Sequence, residues 1–350
     1  MQGVNALWPF FLPLMRLLYI TCLGLAVVCP AATDYRQITN FTGPCARELA
    51  VMAKEDDIKR AREQARALCR ADAAGSCPDL WLVYAYCEVE LNEPGALAVC
   101  EEVVRRLPKS AAAHFLHAVA TIKDPKPAGL FRTLAKIRNM RRALEKAVDC
   151  DPDCHIARAA LTLFYSLPKL LGGDVVKLKY HLSELDRRDP FHSALAKGEL
   201  QVRLKNYPAA VASYREARRL DPLDQDPVVL LINTMTKMGD YSEAFALCSE
   251  LKPAFPGDGS STEKFVELSA ESGLRKDEAL VASAEYMATA KGVTPEKSAK
   301  VLINTALILK SIGRIDESDK CIVEARAQWN GTDDLIREIE KKQEKIVATR

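Results

Sequence analysis

The sequence predicts an all-α fold, a right-handed α-solenoid of stacked helical hairpins, and three observations carry that expectation. From about residue 79 onward, apolar residues recur at intervals of three and four, the helical period, and no stretch alternates as a strand would. Pro108, Pro152, Pro190, Pro222 and Pro256 lie 44, 38, 32 and 34 residues apart, and each closes a similar phrase, such as "CEEVVRRLP", "LEKAVDCDP" and "YREARRLDP". Cap and turn signals fall between the phrases: Gly239-Asp240-Tyr241-Ser242-Glu243 reads as a turn followed by a capping box, and Thr294-Pro295 as an N-cap with proline at the first helical position. A repeat of this size cannot bury its apolar face alone, so its neighbours must stack on it.

The elements follow in order. Residues 7–29 are nearly all apolar, broken by Pro9, Pro13 and Arg16. Met15-Arg16, the run "LLYITCLGLAVV" and small residues at Cys29 and Ala31 have the three parts of a secretory signal, with cleavage after Ala31 and Met15 as an alternative start. The run is short for a spanning helix, which needs about 20 apolar residues; a retained anchor is the alternative to cleavage. The expected order is a signal at 1–31, a leader with one helix at 32–78, the solenoid at 79–330 and a charged capping helix at 331–350.

Composition is ordinary for a folded protein, with 48% hydrophobic and 27% charged residues in 350. With 49 basic against 47 acidic side chains the net charge is +2, and nothing global points to nucleic acid.

The repeats resemble the tetratricopeptide repeat (TPR), a helix–turn–helix unit of 34 residues. The copy at 191–222 carries Ala194, Lys197, Gly198 and Gln201 on its first helix, Ala210, Tyr214 and Ala217 on its second, and Pro222 at its close. The next has Gly239-Asp240-Tyr241, Ala244, Cys248, Leu251 and Pro256; a third has Gly313, Ser318, Ile322 and Ala325. Gly198 and Ala210 stand where two helices approach closely, and Tyr214 or Cys248 fills the groove beside them. Residues 257–292 lose the pattern. Two copies carry insertions, "IKDPKPAG" and "YSLPKLLGGD", where Gly172-Gly173 allow a turn and Asp174 can cap the next helix. This second connection is similar to one in exported bacterial repeat proteins, including the periplasmic T component of TRAP-type solute transporters. The general resemblance implies a non-enzymatic scaffold with a concave groove for a protein or peptide; the narrower one implies a ligand-binding accessory of a transporter.

Of 11 cysteines, nine remain once Cys22 and Cys29 are removed with the signal, a number suited to an oxidising compartment. "CDPDCH", Cys150 to His155, admits a haem attachment site, half a metal site or an inter-repeat turn; Asp151-Pro152 matches Asp189-Pro190 and Asp221-Pro222 in place, so the turn is the favoured reading. No cofactor and no metal is expected. Cys87 and Cys100 flank the turn at Asn92–Gly95 almost symmetrically, and Cys69 and Cys77 bracket "RADAAGS", so each pair suits a hairpin disulfide; the alternative is that each thiol fills a small-residue packing position. His114 and His117 are three apart and share a helix side, more commonly as packing and surface residues than as ligands.

"FRTLAKIRNMRRALEK" sets an apolar stripe against a basic patch of Arg132, Lys136, Arg138, Arg141 and Arg142, which reads as a solvated face or as a docking site for an acidic partner or anionic lipid. None of the common nucleophile, phosphate-loop, zinc-helix or dinucleotide motifs is present, and no catalytic residue is expected. From position in the repeat alone, His117, Asn233, Lys237 and Asn304 are candidates to line the groove.

Overall fold

The computed structural model describes residues 46, 48–50, 58–71, 77–124, 130–254, 259–289, 295–329, 332–333 and 335–337. The expected signal, most of the leader and most of the capping helix therefore lie outside the described residues. The described residues fall into two compact units, one ending at Leu220 and the other beginning at Asp221.

The first unit holds α1 (Ile58–Ala71), α2 (Pro78–Glu90), α3 (Ala96–Arg106), α4 (Ala111–Lys123), α5 (Leu130–Cys150), α6 (His155–Tyr165), α7 (Val175–Arg188), α8 (Pro190–Arg203) and α9 (Tyr207–Leu220), with a 3-10 turn at Lys169–Leu171. The second holds α10 (Asp226–Met238), α11 (Tyr241–Ala254), α12 (Ser260–Ser272), α13 (Lys276–Thr289), α14 (Pro295–Ser311) and α15 (Ile315–Gln328). Among the described residues every regular element is helical.

Packing has the connectivity of stacked hairpins. Each helix touches its hairpin mate, as α2 does α3 and α8 does α9, and first helices touch the next first helix, as in α2 with α4, α6 with α8, α10 with α12 and α12 with α14. The stretch that loses the sequence pattern is therefore a hairpin like the others: α12 and α13 pack together through buried Val266 and Ala279.

Chemistry local to each turn explains where the helices stop. Several first helices end at a left-handed residue, among them those closed by Asn92 (φ 53°), Lys205 (φ 58°), Gly239 (φ 77°) and Gly313 (φ 82°). Asp240 then accepts from the Glu243 backbone N–H at 3.1 Å, the capping contact expected from sequence. Asp174 caps α7 by accepting from Val176 N at 2.9 Å and Lys177 N at 3.2 Å. The inter-repeat turn at "CDPDC" is as expected, with Cys150 closing α5 and Cys154 the residue before α6.

The core of each unit is filled by the small and aromatic residues that the repeat supplies. A Cβ added at Gly198 would run into the ring of Tyr214, which is wholly buried beside Ala210 and Ala217. Among the described residues no helix is long and apolar enough to cross a membrane.

Candidate functional site

Neither the Cys87–Cys100 nor the Cys69–Cys77 pairing is present as a disulfide. Cys69, Cys77, Cys87 and Cys100 all stand as thiols, and no disulfide joins any described cysteine. Cys87 and Cys100 are both wholly inaccessible and belong to the same apolar core, so each takes the packing role that was the alternative to a bond. Burial, with Glu88 adding to it, pushes the Cys87 thiol up to about 12 and raises that of Cys100 further. Burial likewise pushes Cys154 up to about 11 and Cys248 up to about 12. Such thiols are held protonated and make poor nucleophiles.

The four groove candidates are placed differently from one another. His117 is half-buried on α4, and burial lowers its pKa against the opposing charge of Glu101 on α3. Its neighbour His114 is buried and bonds through Nε2 to the Pro108 carbonyl at 2.9 Å. Asn304 is buried inside the second unit at 7% exposure, where it forms part of the packing rather than of a surface. Asn233 is half-buried and Lys237 exposed on α10. They lie on one helical strip with Val229, Leu230 and Thr236, all half-buried, while Val228, Leu231, Ile232 and Met235 turn into the core.

The basic patch is in part neutralised. On α5, Arg132, Arg138 and Arg142 are exposed. Lys136 instead reaches the Asp124 carboxylate at 3.0 Å, and Arg141 lies 3.9 Å from Glu145.

One cluster of polar groups draws on residues far apart in the sequence. At the junction of α5, α6 and α7, the Tyr165 hydroxyl donates to Glu145 Oε1 at 2.5 Å, and Lys177 Nζ lies 3.3 Å from both. Burial disfavours ionisation of Glu145. The Tyr165 hydrogen bond, the Arg141 charge and Lys177 outweigh it and hold the carboxyl below its usual range. The His181 ring stacks on Tyr165 with centroids 5.5 Å apart and an interplanar angle of 7°. Burial, reinforced by the charges of Arg158 and Lys177, pushes His181 down to about 4.

Arg158 is itself 2% exposed and donates from Nη2 to the Pro152 carbonyl at 2.8 Å. The Asp189 carboxylate at the start of α8 accepts from His192 Nδ1 at 2.6 Å and from the His192 backbone N–H at 3.0 Å. His155 Nε2 lies 4.0 Å from the same carboxylate. Burial lowers the His155 pKa despite Asp189, and His192 and Arg158 add to the lowering. Among the described residues no three histidine, cysteine or acidic side chains converge as a metal site, the "CDPDCH" string included. This junction ties four helices together through side-chain hydrogen bonds, a stacked ring pair and a buried guanidinium.

Beside the junction lies an apolar surface. Leu170, Val175, Val176 and Tyr180 are 77%, 65%, 78% and 57% exposed, on the inserted connection and the first turns of α7.

No protein family and no curated protein matches the chain. Solved structures do. TTC0263, a thermophilic TPR protein of Thermus thermophilus, is similar at 18% identity over 55% of this chain and 95% of that one, with a TM-score of 0.45. A tetratricopeptide repeat protein from Parabacteroides merdae is similar at 14% identity over 75% of this chain and 97% of that one, with a TM-score of 0.45. The Cut9–Hcn1 complex of the APC/C is similar at 14% identity over 83% of this chain and 54% of that one, with a TM-score of 0.46. The assignment to stacked helical hairpins rests on the chain's own packing rather than on these likenesses.

Proposed function

We propose that this chain is a non-catalytic, exported TPR-like scaffold that holds a protein or peptide segment against the first helices of its hairpins. The observation that carries the reading is the strip on α10. There Val229 and Leu230 offer a half-buried apolar floor, Asn233 an amide able to pair with a peptide backbone, and Lys237 an exposed ammonium for a carboxylate. The quiet chemistry of the interior supports it: the buried thiols are held protonated and the His181 imidazole neutral. Export rests on the apolar run, Cys29 and Ala31 at the N-terminus.

A photo-crosslinking side chain placed at Asn233 in the native host tests the reading. One dominant polypeptide is expected at that position, lost with Lys237→Glu and absent from a crosslinker at the exposed Arg219 of α9. Mass spectrometry of the recovered chain should find Ala32 at its N-terminus. Crosslinks that ignore Lys237→Glu, or none at normal expression, would overturn the scaffold reading.

A further inference from the structure

The connection between α6 and α7 is built to hold apolar side chains out in solvent. Leu167 and Leu171 are buried and fix its two ends, and Asp174 N bonds back to the Tyr165 carbonyl at 3.0 Å. Gly172 takes the left-handed conformation at φ 94°, and a Cβ added at Gly173 would run into the Leu167 carbonyl oxygen. The loop is thus fixed by close backbone contact that only glycine permits. What it presents is Leu170, followed by Val175, Val176 and Tyr180 on the outer side of α7, while Leu178, His181 and Leu185 face inward.

Exposures of 57–78% on four large apolar side chains describe a protruding tip and not a groove. A folded peptide partner would need a concavity to cover such a tip, whereas a fluid interface accepts it without one. The charge around it is predominantly basic. Between Pro168 and Tyr180 stand Lys169, Lys177 and Lys179 against one acid, Asp174, whose carboxylate is engaged by the α7 backbone. Glu145 then links Lys177 to Arg141, so the tip continues into the cationic side of α5, where Arg138 and Arg142 are exposed.

We infer that this tip docks the protein on an anionic lipid surface, with Leu170, Val175, Val176 and Tyr180 entering the headgroup region and the lysines meeting lipid phosphates. Apolar insertion and attraction of basic side chains to anionic lipid act together, so both halves of the tip should contribute to binding.

The test is co-sedimentation of the full chain with vesicles of phosphatidylcholine alone or mixed with phosphatidylglycerol, read beside quenching of a Leu170→Trp variant by brominated lipid. Preference for the anionic vesicles is expected. Leu170→Asp/Val176→Asp and Lys169→Glu/Lys179→Glu should each reduce binding roughly tenfold or more, with circular dichroism unchanged because all four positions are exposed. The indole introduced by Leu170→Trp should be quenched beyond the level of the chain's own tryptophans, which separates the tip from any hold by the N-terminal apolar segment. No binding, equal binding to neutral vesicles, binding insensitive to the substitutions, or an unquenched indole at position 170 would each overturn the proposal. A crosslink from position 170 to one polypeptide, abolished by both double variants while vesicle binding is absent, would overturn it in favour of a protein contact.

Discussion

His181 shows how a single residue sets the response to acid. The folded protein holds it neutral down to about 4, because its ring is buried against Tyr165 and faces Arg158 and Lys177, while Glu145 and Glu184 only partly oppose them. An unfolded chain protonates the same imidazole near the ordinary value of about 6.5. The folded pKa is thus depressed, so the stabilisation is present above the unfolded value and is lost as pH falls from about 6.5 through 4, where the unfolded state binds the extra proton. The upper bound is about 3 kcal/mol at 1.36 kcal/mol per pKa unit. Glu145, held ionised in the folded state, acts in the same direction in acid. Urea midpoints of the parent chain and His181→Gln, compared at pH 7.5 and pH 4.5, check this. The parent should lose clearly more between the two pH values than the variant, and equal losses would remove His181 from the account. Glu145 lies 36 positions and Arg158 23 positions from His181 along the chain, so no local pattern announces their meeting.

At the scale of the element, the hairpin α8/α9 turns on one close approach. Glycine inside a helix costs about 1 kcal/mol relative to alanine, so a Gly198→Ala change would stabilise α8 taken alone. In the folded unit the new methyl meets the Tyr214 ring, and that ring is 0% exposed with nowhere to move. Overpacking of this kind costs about 1–3 kcal/mol, so Gly198→Ala should be a net destabilisation of up to about 2 kcal/mol. Thermal unfolding of Gly198→Ala, Tyr214→Leu and the double variant measures it, and the double variant should lose less than the sum of the two. Strict additivity would mean that the ring is not what opposes the methyl. The sequence carried this contact openly, since Gly198, Ala210 and Tyr214 stand at the small and large positions of the repeat. It carried the hairpin α12/α13 poorly. There Ser, Glu and Lys replace the pattern residues, and buried Val266, Ala279 and Tyr286 supply the packing instead. Lys205 and Asn92 hid a turn signal of the same kind, because a left-handed residue other than glycine is visible from sequence only by alignment with Gly239 and Gly313.

Across the whole molecule, stability should be local. Each hairpin in a stacked array draws its stabilisation from itself and its nearest neighbours, and the described chain divides into two compact units at Leu220 and Asp221. Hydrogen exchange on Gly198→Ala should therefore rise in α8, α9 and the adjoining α6, and stay at parent values in α14 and α15 of the second unit. Uniform loss of protection would show a single cooperative unit. The near-neutral balance of +2 conceals a strong local asymmetry, since the cationic side of α5 and the lysines of the inserted connection share one region of the first unit.

The sequence by itself determined that the chain is helical, where several of its helices begin and end, and that they pair as hairpins. Apolar period, capping and turn chemistry act within one or two helical turns, so a linear reading can follow them. Only the tertiary structure decided which side chains share an environment. It withdrew Cys87 and Cys100 into the core as thiols, buried Asn304, neutralised Lys136 with Asp124, and left Leu170 and Val176 in solvent. Burial and electrostatic partnership depend on groups brought together from distant positions, as Glu145 and Lys177 are across 32 residues, and no local pattern encodes that meeting.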